Sequence, residues 1–126
     1  MASIFELEQA NFGRATQGRV LLAGGNADTT LTAAQSVESL ITVTPTTGRT
    51  YTTATAAEII SELGDSAMVG QCFEVTIVNL AGATHAITFA GGTSVTVTGS
   101  ATVAAASSGT FVGRMATSST VIFYRK

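Results

Sequence analysis

The sequence predicts a mainly β protein: a small antiparallel β-sandwich or barrel with one short helix and an extended N-terminal arm. Short runs of alternating apolar and polar residues follow one another from Phe73 to the C-terminus, separated by glycine-containing turns. One helix signal stands in the middle of the chain, and the N-terminal segment is apolar without helical spacing. Because 126 residues usually form one domain, we assign residues 19–126 to a single β domain and residues 1–18 to the arm.

The N-terminal segment carries large apolar side chains among polar ones, at Ile4, Phe5, Leu7 and Phe12. Termini are usually loose unless they are tied down, so a terminus this apolar is either a core strand or an arm that docks on a neighbour. Glu6 and Glu8 occupy positions where a signal peptide would carry basic residues, and no apolar stretch approaches membrane-spanning length. We therefore expect a protein that is made and kept in a cytoplasm, without a membrane partner.

The first half of the chain predicts three strands, at residues 19–22, 29–32 and 39–44. They are separated by Gly24, Gly25 and Asn26, and the last is followed by Pro45, the only proline.

The predicted helix covers about residues 55–63. Thr55 and Glu58 have the spacing of a capping box, and Gly64 stands where a helix ends in a left-handed residue. The apolar positions of this helix form one stripe, which must dock on the sheet: Ile59, Ile60 and Leu63.

The second half predicts a meander of strands at residues 73–78, 85–89, 94–98, 101–105, 110–115 and 120–124. The breaks between them contain glycine, for instance at residues 81–84, 91–92, 99–100 and 107–109. Glycine accepts the positive φ that tight hairpins require, so we expect consecutive strands to pair as hairpins.

Charged residues make up only 11% of the chain, against about 25% in an ordinary soluble domain. Threonine, serine, alanine and glycine take their place, and such a surface tolerates close contact with other proteins. This favours a subunit of an assembly, with a merely neutral extracellular β protein as the alternative. The net charge of −2 provides no basic stripe for phosphates, so we expect neither nucleic acid nor an anionic membrane as a partner.

The residues that could perform chemistry are sparse. A single cysteine, Cys72, and a single histidine, His85, cannot supply a metal knuckle or an internal disulfide. A hairpin closing at residues 81–84 would hold them far apart, with His85 at the rim of the core and Cys72 a small buried or interface residue. The acidic residues are scattered, and residues 24–28 lack the lysine of a phosphate loop. We therefore predict no enzyme, no cofactor and no metal site.

Three segments carry a resemblance to a known group of proteins: residues 55–64 (TAAEIISELG), 69–79 (VGQCFEVTIVN) and 99–112 (GSATVAAASSGTFV). They resemble a module of tailed-phage virion proteins, which include head decoration (cement) proteins and fibre-like surface proteins. The similarity covers roughly residues 50–126 and follows the order helix, paired strands, glycine turn and aromatic last strand. It implies a trimeric β-rich subunit on the outer surface of a virion capsid, assembled in the host cytoplasm and attached to the major capsid protein.

These observations predict a capsid decoration subunit that stabilises the shell of major capsid protein as a trimer, acting through buried interface area. Aromatic and arginine anchors usually dominate such contacts, and the predicted capsid-contact residues are Ile4, Phe5, Leu7, Phe12, Arg14 and Arg19. The alternative is a head-fibre or tail-fibre adhesion protein that binds the host surface through loops at residues 91–94 and 107–109.

Overall fold

A computed structural model describes residues 20–126 as two β-sheets with two short helices. The strands are β1 (Val20–Ala23), β2 (Thr29–Thr30), β3 (Glu38–Val43), β4 (Arg49–Thr52), β5 (Cys72–Asn79), β6 (Ile87–Ala90), β7 (Val95–Thr98), β8 (Thr102–Val103), β9 (Ser107–Met115) and β10 (Val121–Arg125). The helices are α1 (Ala33–Val37) and α2 (Ala56–Leu63), and a 3-10 turn follows at Gly64–Ser66. The prediction of a mainly β fold with a short helix is confirmed. Over these residues the two sheets do not close into a barrel.

The first six strands alternate between the two sheets. The six-stranded sheet has the order β1-β3-β5-β9-β10-β7, and the four-stranded sheet has the order β2-β4-β6-β8. Within each sheet the first three strands pair in parallel, so the chain winds in successive coils that add one strand to each sheet. β9 then pairs antiparallel with β5 and β10, β8 pairs antiparallel with β6, and β7 pairs parallel with β10.

The expectation of consecutive antiparallel hairpins is therefore wrong for most of the chain. β5 and β6 lie in different sheets, and only β9 and β10 form one of the predicted hairpins. The predicted break at residues 107–109 is also wrong, because these residues begin β9. Alternation of apolar and polar residues indicates which face of a strand is buried, but it does not identify the neighbouring strand.

The three strands predicted in the first half agree with β1, β2 and β3 to within one or two residues, whereas α1 and β4 were not predicted. α1 belongs to an internal repeat. Residues 29–35 (TTLTAAQ) recur in similar form at residues 52–58 (TTATAAE). Both copies run from the end of a strand into a helix that begins with a capping box.

The two capping boxes have nearly the same geometry. The hydroxyl of Thr32 accepts from the backbone N–H of Gln35 at 3.2 Å, and Thr55 accepts from Glu58 at 3.2 Å. In return, Oε1 of Gln35 and of Glu58 accepts from the backbone N–H of the capping threonine at 2.9 and 3.0 Å. The helix predicted at 55–63 is confirmed, with Thr55 as its N-cap and Gly64 at positive φ after its last turn.

The hydrophobic core lies between the two sheets, and α2 contributes to it through Ala56 and Ile59, both fully buried. Aromatic rings fill its centre. Phe89 of the four-stranded sheet stacks on Phe111 at 4.3 Å between centroids and meets the edge of Phe123 at 5.2 Å. Since Phe111 and Phe123 belong to the six-stranded sheet, these contacts join the two sheets.

A buried amide makes a second connection between the sheets. Asn79, at the end of β5, is 1% exposed, and its Nδ2 donates to the carbonyls of His85 and of Val103 in β8, each at 3.0 Å. Its Oδ1 accepts from the backbone N–H of Ala81 at 3.0 Å. The side chain therefore fixes the crossing from one sheet to the other.

Candidate interaction surface

The outer face of the six-stranded sheet is the side that points away from the core. Along β3 and β5, alternate residues such as Ile41, Val75 and Ile77 are fully buried on the inner side. The residues between them form the outer face, which we define as Leu21, Ala23, Glu38, Leu40, Thr42, Cys72, Glu74, Thr76, Val78, Thr96, Thr98, Ser108, Thr110, Val112, Arg114, Ile122 and Tyr124. Most of these side chains are aliphatic or carry a single hydroxyl.

The strand register arranges these side chains in rows. One row consists of Leu21, Leu40, Thr76 and Thr110 on four neighbouring strands. The hydroxyls of Thr76 and Thr110 lie 3.1 Å apart and form a hydrogen bond. Such a surface, low in charge and rich in β-branched side chains, resembles the buried side of a sheet more than a solvated one.

Charge on the outer face is divided between its two halves. Glu38 of β3 and Glu74 of β5 lie side by side, and each has an interaction partner. On the other half, Nη2 of Arg114 donates to the Tyr124 hydroxyl at 3.1 Å, and the guanidinium lies 5.8 Å from the centroid of that ring. This hydrogen bond, more than the charge effects of Tyr124 and Cys72, raises the pKa of Arg114, which stays positive.

The outer face of the four-stranded sheet is different in chemistry. It carries threonines on all four strands and one alanine, namely Thr30, Thr50, Thr52, Thr88, Thr102 and Ala90. This face presents hydroxyls and methyl groups with no larger apolar side chain. We call it the threonine face.

Among the described residues, one open groove lies away from these faces, and another reaches the outer face of the six-stranded sheet at Val78 and Ser108. The first, of about 410 Å³, is lined by Ala33, Ala57, Glu58, Ser61 and Glu62 of the two helices. The Glu58 carboxylate there accepts from the N–H and hydroxyl of Thr55, and these bonds lower its pKa. The other groove, of about 390 Å³, lies where β5 ends and β9 begins, beside the exposed Leu80.

Neither groove combines groups that suggest a reaction. Within residues 20–126, the structure has no group of three or more histidine, cysteine or acidic residues that could hold a metal ion. None of the helices in this part of the chain is long and apolar enough to span a membrane.

The six predicted capsid-contact residues (Ile4, Phe5, Leu7, Phe12, Arg14 and Arg19) all lie outside the described residues, as does the predicted arm, so both stay predictions.

The predicted surroundings of the two reactive side chains are corrected. His85 is exposed and has φ of +81°, so its expected place at the rim of the core is wrong. Cys72 is exposed on the outer face of the six-stranded sheet, and a buried position is likewise wrong. Cys72 and His85 lie toward opposite ends of β5. Cys72 is the first residue of this strand, and the carbonyl of His85 accepts a hydrogen bond from Asn79, its last residue. The strand spans about 23 Å at roughly 3.3 Å per residue.

Neither a protein-family model nor a curated protein sequence nor a solved structure matches this chain.

The sequence reasoning missed the outer face as a distinct surface, although the signal was present. In a half-solvated strand the positions between buried residues are usually polar or charged. Here several of them are large and apolar: Leu40, Val78, Val112 and Ile122. Without the strand order, these positions could not be assembled into one face.

Proposed function

We propose that this chain is a structural virion protein, a capsid decoration (cement) subunit that binds and stabilises the shell of major capsid protein as a trimer. The observation that supports this most is the outer face of the six-stranded sheet. A face of aliphatic and hydroxyl side chains, with Tyr124 and Arg114 in contact on it, has the composition of a protein–protein interface. Its role would be to hold proteins together by burying surface.

The resemblance of residues 50–126 to tailed-phage virion proteins supplies the setting. In that setting the predicted arm, residues 1–18, makes the contact with the major capsid protein. Apolar anchors such as Phe5 and Phe12 would supply most of the binding free energy. The β domain would then sit on the outer capsid surface.

Co-sedimentation with empty capsids tests this function. The full chain is expected to pellet with the shells and to saturate at a fixed ratio, whereas a chain lacking residues 1–12 should bind at least about tenfold more weakly. Removing Phe5 and Phe12 alone, by substitution with alanine, serves as a milder variant. Unchanged binding by the truncated chain would refute the arm, and no binding by the full chain would refute the decoration function.

The alternative function, a head-fibre or tail-fibre adhesion protein, is favoured by the threonine face, because rows of hydroxyls can hydrogen-bond a glycan. Of the two loops first proposed for adhesion, one is not a loop. Residues 107–109 belong to β9, whereas Thr93 and Ser94 of the other loop are exposed and that loop stays a prediction. Binding of the isolated chain to host cells, lost on placing lysine at Thr88 or Thr102, would establish this alternative.

A further inference from the structure

The outer face of the six-stranded sheet exposes apolar side chains that gain free energy when they are covered. Leu21 is 66% exposed, and Leu40, Val78 and Val112 are half-buried on neighbouring strands. Soluble proteins rarely leave a large contiguous apolar patch open to water. Any apolar segment that reaches this face in the free chain is therefore favoured to lie on it.

The part of the chain that precedes β1 joins the domain beside this face. β1 is an edge strand of the six-stranded sheet, and its first residue, Val20, lies opposite Ser39. Continuing the register by one residue would place position 19 opposite Glu38, in the row that includes Glu74. Because side chains alternate along a strand, position 19 would share the outer side with Leu21. Residues 1–18 are thus attached at the border of the outer face.

The preceding segment is also long enough to cover the face. Phe12 stands eight residues before Val20, which allows a reach of up to about 26 Å at about 3.3 Å per residue. Six strands about 4.8 Å apart make the face about 24 Å wide. Phe12 can therefore reach any strand of the sheet, and Phe5 has enough chain to cross the face and turn back.

The composition of the segment suits the face. Its large side chains are apolar, namely Ile4, Phe5, Leu7 and Phe12. The stretch closest to β1 carries Arg14 and Arg19 and no acid after Glu8, whereas the charged residues of β3 and β5 on the outer face are glutamates. Both glutamates already have interaction partners, so the opposite charge adds to the fit and the apolar side chains carry the contact.

Attachment to β1 distinguishes this segment from other occupants of the face. A segment on a short flexible tether is present at an effective concentration of about 1 mM. In a solution of about 10 μM protein, a second copy is about 100-fold more dilute. The tethered segment therefore has the advantage over a second copy in the free chain.

We propose that residues 1–18 lie on the outer face of the six-stranded sheet of their own chain, with Phe5 and Phe12 covering its aliphatic side chains. The docking concerns the chain before it meets a capsid, so it does not rest on the proposed function. In that function, the same two anchors pass to the major capsid protein, and the face is uncovered.

Alkylation of Cys72 by N-ethylmaleimide reports on the cover, because this cysteine is the only one and lies on the outer face. In the full chain, Phe5→Asp with Phe12→Asp removes both anchors. Gln9→Asp with Asn11→Asp adds the same two charges to the segment and keeps the anchors. Alkylation should be at least about tenfold faster in the first variant than in the wild type, and within about twofold of the wild type in the second.

A relocated thiol controls for general loosening of the domain. Cys72→Ser with Thr88→Cys moves the thiol to the threonine face, where residue 88 is half-buried within β6. Its alkylation rate should be the same with and without Phe5→Asp and Phe12→Asp. Circular dichroism should show the same β structure in all of these chains.

Light scattering on the same samples separates the tethered segment from a second copy. We expect Phe5→Asp with Phe12→Asp to keep the mass of the wild type while Cys72 becomes reactive. A lower mass together with a reactive Cys72 would mean that another copy covers the face, and equal Cys72 rates in this variant and the wild type would mean that the segment does not. Either result would overturn the proposal. Failure to bind empty capsids would refute only the decoration function, since these measurements contain no capsids.

Discussion

Replacing Asn79 by alanine should be among the most destabilising single changes in residues 20–126. The substitution removes the three hydrogen bonds that tie the end of β5 to Val103, His85 and Ala81. Val103 is fully buried and Ala81 is 3% exposed, so water cannot replace the hydrogen bond that the carbonyl of the first and the N–H of the second would lose. The carbonyl of His85 belongs to an exposed residue and can bind solvent instead.

The expected cost follows from this difference in exposure. Each buried polar group that loses its partner costs about 1–3 kcal/mol, whereas the exposed carbonyl costs little. The free energy of unfolding of Asn79→Ala should therefore fall by about 4 kcal/mol. At about 3–5 °C per kcal/mol for a chain of this size, the melting temperature should fall by about 15 °C.

Urea unfolding followed by circular dichroism measures this effect. The slope of the free energy of unfolding against urea concentration should be the same in the variant and the wild type, as expected for two-state unfolding. Asn79→Asp keeps the size and the acceptor oxygen but loses the amide donor, and should be at least as unstable as Asn79→Ala. Thr88→Ala, on the threonine face, is the control and should change stability by less than about 0.5 kcal/mol. A loss of less than about 1 kcal/mol in Asn79→Ala would refute the role of this amide in joining the sheets.

Four further predictions concern other parts of the structure. Gly113→Ala would place a Cβ 2.2 Å from Cε2 of Phe73 and should lower the free energy of unfolding, measured by thermal unfolding, by about 2–3 kcal/mol. Gly82→Ala, which has open space around it, is the control and should be nearly neutral. Equal stability of the two variants would contradict the close packing of Phe73 on Gly113. His85→Gly removes a side chain from a residue at φ of +81° and should match the wild type or exceed it by up to about 1 kcal/mol, so a large loss would count against that backbone conformation. Thr32→Ala and Thr55→Ala should each cost about 1 kcal/mol in chemical unfolding, because each removes a helix N-cap; no loss in either would argue against the capping boxes. Hydrogen bonds from Thr55 lower the pKa of Glu58 below its value in the unfolded chain. The stability that these bonds provide is therefore present above about pH 4 and is lost as the pH falls through the lower pKa of the folded state. Between about pH 6 and pH 3, the unfolding midpoint of Glu58→Gln should fall less than that of the wild type.

Local signals in the sequence gave local structure correctly. The spacing of Thr55 and Glu58 placed a helix N-terminus, and two-residue alternation from Phe73 placed β5 with its buried face. These features depend on contacts between residues close in the chain, or on burial of one face, and both leave a periodic pattern.

The arrangement of the strands could not be obtained in the same way. The partners of β5 are β3 and β9, and no periodic pattern distinguishes them from β6. The one usable signal was the similarity of residues 29–35 to residues 52–58, since a repeated motif predicts a repeated supersecondary unit. The outer face could be identified only after that order was known, because Leu40, Val112 and Tyr124 come from three separate regions of the chain.

The parallel coils also determine where this fold can change in length. A further copy of the repeated unit, inserted before β1, would add one strand to each sheet and leave the pairing of the others unchanged, as in repeat proteins whose units contact only their neighbours. On the other side of the stack the antiparallel strands β9 and β8 end the parallel array. Evolutionary variation in size should therefore occur at the N-terminal side of the stack, and the C-terminal strands should keep a constant length.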